Sequence, residues 1–300
     1  MKRNIIILLS FLALVGCHTD NVQYVDFTDM TMADSLAFRV TAQKTTRLQD
    51  LSNDPETLAM WGLTDSTATP AAAAGVRAPQ RATSTSVAGI MQELLDFGNN
   101  ASAIELSGLY NSIDVDGLPV ILSGKVILPA NGPIKRYILV SHYTIASNKE
   151  APSNIFSLEG LLVQLGYALI IPDYIGYGIT ADRVHPYLVM ELTARNVLDM
   201  YDAVVPFLKK AGYAPEHDDI YLMGYSQGGA TTMAVQYEIE RNERPIKIRR
   251  VFAGGGPYDI KYTYDQFVET NWASYPCAVP IMMQGMVVGN KLDLDMSKMM

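Results

Sequence analysis

Asp219-Ile220-Tyr221-Leu222-Met223-Gly224-Tyr225-Ser226-Gln227-Gly228-Gly229 is the stretch on which the fold turns. Ile220 to Met223 is a short apolar run of the kind that fills a buried parallel strand. Gly228 to Arg241, rich in Ala, Met and Gln, reads as a helix. Between them lies Gly-x-Ser-x-Gly. The pentapeptide alone is weak evidence, because Gly and Ser are common residues. Its placement makes it specific. A sharp strand-to-helix turn lifts Ser226 Oγ to the sheet edge in a strained backbone conformation, and Gly224 and Gly228 let the chain pass close to its neighbours. The helix beginning near Gln227 points free N–H groups and its positive end at the same place. Ser226 therefore reads as a nucleophile. The plainer alternative is a glycine-rich turn with no chemistry.

Working outward, apolar runs alternate with helical segments. Ser112 to Val115 and Val120 to Leu128 flank Asp116-Gly117, a hairpin dipeptide. Tyr137 to Ser141 and Tyr167 to Ile171 are short buried runs, and Ile248 to Ala253 is another, ending in Gly254-Gly255-Gly256. Phe156 to Leu165 has helical spacing and stops at Gly166. Tyr187 to Lys210 is long and amphipathic, with a break expected near Pro206. The order implies right-handed crossovers and an α/β architecture: a mostly parallel sheet with helices on both faces and the hairpin at its antiparallel edge. Sites in such sheets lie at the carboxyl ends of the strands.

Acyl transfer at Ser226 needs an oxyanion hole. The N–H of Gln227, the residue after the nucleophile, is one expected donor. The loop after Tyr137–Ser141 reads His142-Tyr143-Thr144 and fits the second. The Tyr143 N–H is the candidate there, with Thr144 next. His142 reads as a residue that shapes this loop, with a role as base as the alternative. Asp173, in Pro172-Asp173-Tyr174, reads as structural, its carboxylate capping a turn.

Taken together these residues resemble the α/β-hydrolase superfamily, and within it secreted lipase-like and esterase-like bacterial lipoproteins. The resemblance rests on Asp114–Val120 and Ser123–Pro129, on Ser141–Thr144, on Pro172–Gly178 and His185–Tyr187, and on Gly224–Gly229. It implies an esterase or lipase working through an acyl-enzyme on Ser226, with a small-molecule ester or lipid-like substrate and no cofactor. A peptidase of the same fold and a non-catalytic, membrane-anchored binding protein are the alternatives. The order in this superfamily is nucleophile, acid, histidine. Here the four histidines, His18, His142, His185 and His217, all precede Ser226. The expectation is that the catalytic acid and histidine lie beyond these 300 residues, which would leave this chain inactive by itself. The other readings are a degenerate scaffold, or His142 or His185 as base with Asp259 as acid.

The rest of the sequence narrows the class. The 300 residues are 49% hydrophobic, with a net charge of -8 and 23 Lys+Arg, a poor balance for nucleic acid. No His-Glu-x-x-His metal pattern and no phosphate-binding loop occurs. Lys2 and Arg3 precede the apolar run Ile5 to Val15, which is too short to span a bilayer and leads to Leu14-Val15-Gly16-Cys17. This resembles a lipoprotein signal with acylation at Cys17, which would anchor the protein in a bacterial cell envelope, facing periplasm or exterior. Cys277 then has no partner and reads as a buried small hydrophobe. Residues 18–63 form an N-terminal extension, helical over Met32 to Leu51. Residues 64–86, rich in Ala, Thr and Pro, form a linker. Residues 87–259 form the partial hydrolase core, and residues 260–300 a Met-rich cap or lid.

Overall fold

The chain is described by a computed structural model over residues 38–51, 54–61, 101–270 and 278–294. Among the described residues seven strands form one sheet: β1 (Arg39–Arg47), β2 (Ser102–Ile113), β3 (Pro119–Pro129), β4 (Arg136–Ser141), β5 (Tyr167–Pro172), β6 (Ile220–Tyr225) and β7 (Ile248–Gly254). Their spatial order is β1-β2-β3-β5-β4-β6-β7. Strands β1, β2 and β3 pair antiparallel, β3 joins β5 antiparallel, and β5, β4, β6 and β7 run parallel. The helices are α1 (Leu48–Leu51), α2 (Pro55–Met60), α3 (Met190–Lys210), α4 (Gln227–Arg241), α5 (Ile260–Thr270) and α6 (Ala278–Gly289).

Each strand divides its side chains between two cores. On β4, Tyr137 and Leu139 face α3 and α4, where Val197, Met200, Val204, Phe207 and Val235 are buried. Ile138 and Val140 face the other way, against Leu161, Val163, Leu48 and Leu51. The period of two along an apolar run is what places both layers at once. Truncating one such fully buried leucine, Leu139, to alanine costs about 2–5 kcal/mol. The hairpin between β2 and β3 turns at Asp114. Its carboxylate accepts from Asp116 N at 2.9 Å and Leu118 N at 3.0 Å.

Three elements differ from the sequence reading. Arg39–Arg47, expected within a helix from Met32 to Leu51, is the edge strand β1 paired along β2. Its Thr- and Val-containing run gains a full ladder there, and tertiary pairing outweighs its weak helical periodicity. Helix α3 runs unbroken through Pro206. Pro206 sits on the solvent side, so the carbonyl it leaves unpaired faces water. The segment Leu158–Leu165 is 3-10 rather than α-helical, and it does end at Gly166. The expectations for Cys17, His18, Cys277 and residues 64–86 lie outside the described residues. Among the described residues no helix is long and apolar enough to cross a membrane.

Candidate active site

The chain leaves β4 for β5 on one side and later returns to β6 on the other. The crevice between the carboxyl ends of β4 and β6 is therefore the switch point at which such sheets place ligands. Ser226 stands at the end of β6, and Tyr143 at the end of β4. The last rung joining the two strands pairs Ser141 with Gly224.

Ser226 has φ 55° and ψ -123°, a conformation that L-residues rarely adopt. It is over-determined from both sides. Ser226 N donates to the Gly254 carbonyl at 2.8 Å, and the Ser226 carbonyl accepts from Gly229 and Ala230 as α4 begins. A Cβ on Gly228 would lie 2.0 Å from the Ser141 carbonyl oxygen, and one on Gly224 would lie 2.2 Å from the Gly228 carbonyl oxygen. Only glycine allows helix and strand to approach this closely. The Ser226 side chain makes no capping hydrogen bond.

The backbone N–H groups of Gln227 and Tyr143 have no acceptor among the described residues. The Gln227 N–H is an unpaired first-turn donor at the positive end of the 15-residue α4. Thr144, the second choice in that loop, has its hydroxyl engaged with Tyr187 Oη at 2.6 Å. The carboxyl ends of β4 and β6 thus carry Ser226 and two backbone N–H groups that have no acceptor among the described residues.

None of the three described histidines is free to serve Ser226. His142 is buried, with Nδ1 against the Tyr143 carbonyl at 2.6 Å and Nε2 against the Asp173 carbonyl at 3.0 Å. Burial lowers its pKa, against the pull of those two hydrogen bonds. Its ring thus ties the loop after β4 to the start of the segment after β5. His185 is also buried, with Nδ1 on the Ile175 carbonyl at 2.7 Å and Nε2 on Gln227 Nε2 at 2.6 Å. Its pKa is pushed down to about 3 by burial, with the Ile175 hydrogen bond acting in the opposite sense. His217 is exposed beside the amino end of β6. The six-residue strand separates it from Ser226 by about 20 Å.

Asp259 is exposed and lies at the start of α5. Its Oδ1 accepts from Tyr262 N at 2.8 Å and caps α5, so the side chain belongs to a helix start. Asp173 is fully buried and structural, accepting from Ser123 Oγ at 2.5 Å and Ser153 N at 2.8 Å.

Beside the elbow an open groove of about 340 Å³ is bordered by Met223, Tyr225, Phe252, Gly254 and Glu159. Burial raises the Glu159 pKa from its ordinary value, with a hydrogen bond to its own backbone acting in the opposite sense. Glu159 was not singled out from the sequence, where nothing in Ser157-Leu158-Glu159 marks a carboxyl that folds in toward β6. The link between His185 and Gln227 was also missed. The motif His185-Pro186-Tyr187 was visible, but its partner lies 42 residues away. Among the described residues no group of three His, Cys, Asp or Glu side chains could hold a metal ion.

No family model and no curated protein matches the chain. Solved structures do. A Legionella pneumophila protein to which hydrolase activity is ascribed superposes with a TM-score of 0.58 at 22% identity, over 64% of this chain and 53% of that one. The rice cell wall degrading esterase LipA from Xanthomonas oryzae superposes with a TM-score of 0.51 at 24% identity, over 58% of this chain and 48% of that one. The matched part of this chain spans about half the length of each of these structures.

Proposed function

This chain has the α/β-hydrolase fold, and on it we propose a serine hydrolase that cleaves carboxylic esters through an acyl-enzyme on Ser226. The observation that carries this is the backbone of Ser226 itself. A positive φ at a non-glycine residue between strand and helix is costly, of order 1–3 kcal/mol, and persists where the surroundings enforce it. Glu243 and Lys291 also take positive φ after helices, but Ser226 pairs it with ψ -123°, outside the left-handed helical region, in a glycine-flanked turn from strand to helix.

In this reading Ser226 Oγ attacks the ester carbonyl carbon. The oxyanion that forms is held by the N–H groups of Gln227 and Tyr143, and the alcohol leaves with a proton. Water then attacks the acyl-enzyme and releases the acid. Serine needs a base to be a nucleophile at neutral pH. Because His142, His185 and His217 are placed elsewhere, the base and its acid are proposed to lie outside the described residues. The substrate is a small-molecule ester or lipid-like molecule. Cys17, after its basic and apolar leader, remains the proposed lipid attachment, which a Cys17→Ala variant would test by release from the membrane fraction.

The test is a panel of p-nitrophenyl esters and anilides of graded acyl length, assayed on this chain and on a form extended past Met300. The extended form is expected to hydrolyse esters in preference to anilides, and Ser226→Ala to remove that activity. The 300-residue chain should be slower by roughly 10⁴-fold or more, the cost of losing a triad member. Hydrolysis that survives Ser226→Ala would overturn the reading, as would two inactive forms. Anilide cleavage as fast as ester cleavage would favour the peptidase.

A further inference from the structure

The segment Asp173–Tyr187, between β5 and α3, touches both sides of the proposed oxyanion hole. Toward Tyr143 it makes several contacts. The Asp173 carbonyl meets His142 Nε2 at 3.0 Å, and the Tyr174 ring stacks on the His142 ring at 4.0 Å. Tyr177 Oη donates to the Ile145 carbonyl at 2.6 Å, and Tyr187 Oη pairs with Thr144 Oγ1 at 2.6 Å. Toward Gln227 it makes a polar contact, from His185 Nε2 at 2.6 Å.

The chemistry of that contact is fixed by the other ring nitrogen. His185 Nδ1 lies 2.7 Å from the Ile175 carbonyl, which can only accept, so Nδ1 carries the proton and donates. Nε2 is then a lone pair, and the Gln227 amide N–H donates to it. Gln227 is fully buried, and its Oε1 has no partner among the described residues. The histidine is therefore the one hydrogen-bond anchor of that side chain within this set. The histidine itself is held tightly. Tyr174 lies parallel to its ring at 5.9 Å, and Tyr177 and Tyr187 approach at 5.2 and 5.8 Å. Gly176, at φ 94°, lies so close that a Cβ there would fall 2.6 Å from His185 N.

We propose that His185 is a positioning residue of the oxyanion hole: by holding the Gln227 side chain from a segment that also clamps the Tyr143 loop, it fixes the distance between the two N–H donors. Gly229 and Ala230 hold the Ser226 carbonyl and so set the tilt of the Ser226–Gln227 peptide; what the Gln227 side chain adds is a tie between this helix start and the segment that holds the Tyr143 loop, and without it the two can drift apart. The Gln227 N–H would then miss the oxyanion, which exists only along the reaction path. The loss falls on kcat rather than on substrate binding. The inference rests on the proposed esterase activity.

The experiment uses the ester-hydrolysing form of the chain, with His185→Phe, His185→Gln and Gln227→Met. His185→Phe and Gln227→Met are each expected to lower kcat roughly 10–100-fold with KM little changed, as small misplacements in a catalytic site do. The double variant should be no slower than either single one, because both remove the same bond. His185→Gln, which returns an acceptor, should recover part of the loss. Gln227→Met removes the bond without touching the packed ring, so it decides the case if His185→Phe does not fold. A third measurement needs no variant: ¹⁵N-histidine spectra of the wild-type chain should show His185 as the neutral Nδ1–H tautomer. An unchanged kcat in folded Gln227→Met would overturn the inference while leaving the esterase standing, and so would the Nε2–H tautomer. An inactive wild type in every form would instead overturn the esterase reading.

Discussion

Gly224 of β6 lies opposite Ser141 of β4 on the last rung of their parallel ladder. Ser226 and Tyr143 each stand two residues beyond it, so the proposed nucleophile and the proposed oxyanion loop are positioned by one pair of strands. The approach is closed by Gly228, whose missing side chain leaves room for the Ser141 carbonyl. Gly228→Val should force the helix start away from β4. The expected result is a loss of about 1–3 kcal/mol in urea unfolding, the usual range for overpacking. Reactivity of Ser226 toward a serine-directed probe should drop far more than that stability loss alone implies.

The strain at Ser226 gives a prediction with an unusual sign. Glycine adopts φ 55° without penalty, while alanine keeps the clash and loses the hydroxyl. Ser226→Gly should therefore be more stable than Ser226→Ala by about 1 kcal/mol or more. Chemical denaturation of the two variants side by side measures this directly. Equal stabilities would mean that the elbow is relaxed.

These features were unequally legible in the sequence. Ser226 could be read because its signal is local: an apolar strand, a glycine-flanked serine and a helix within a few residues. The parallel strands were readable because burial on both faces leaves continuous apolar runs. Strand β1 was not, since Arg39–Arg47 is a mostly polar edge whose structure comes from its ladder with β2. The role of His185 was hidden for a similar reason. Its position reflects Gln227 and Ile175, and no spacing in a single sequence reveals a contact across 42 residues. Asp259 shows a limit of position alone, because an aspartate after a strand can cap a helix, as its Oδ1 does for α5.

Acid should destabilise the fold partly through His185. Its pKa is about 3 in the folded protein, against an ordinary histidine value near 6.5 in the unfolded chain. Between these values the unfolded chain binds the extra proton, so stability falls as the pH drops, by up to roughly 1.4 kcal/mol per unit from this group. Above about pH 6.5 both states are neutral and the group adds no pH dependence. Urea unfolding at pH 7 and pH 4.5 should show a smaller acid loss for His185→Gln than for wild type, by roughly 2–3 kcal/mol. Parallel pH profiles would contradict the assignment.

A buried ion pair on the opposite edge is predicted to be fragile to single changes. Lys125 Nζ donates to Glu105 Oε2 and to the Ile155 carbonyl, each at 2.6 Å, and Thr46 Oγ1 donates to the other carboxylate oxygen. Both charged side chains are 5% exposed. Lys125→Met leaves an uncompensated buried carboxylate and should cost about 3–5 kcal/mol. Adding Glu105→Leu should return most of that loss, because a pair of apolar side chains of similar volume suits a buried site. A double variant no better than Lys125→Met, by thermal or urea unfolding, would show that the pair does more than neutralise itself.

The most direct measurement is covalent labelling with a fluorophosphonate, followed by peptide mapping by mass spectrometry. It is applied to this chain, to a form extended past Met300, and to Ser226→Ala. The predicted result is one adduct, on the peptide carrying Ser226, formed rapidly in the extended form, slowly or not at all in the 300-residue chain, and never in Ser226→Ala. An adduct on another residue, or no adduct in either unsubstituted form, would contradict Ser226 as the nucleophile.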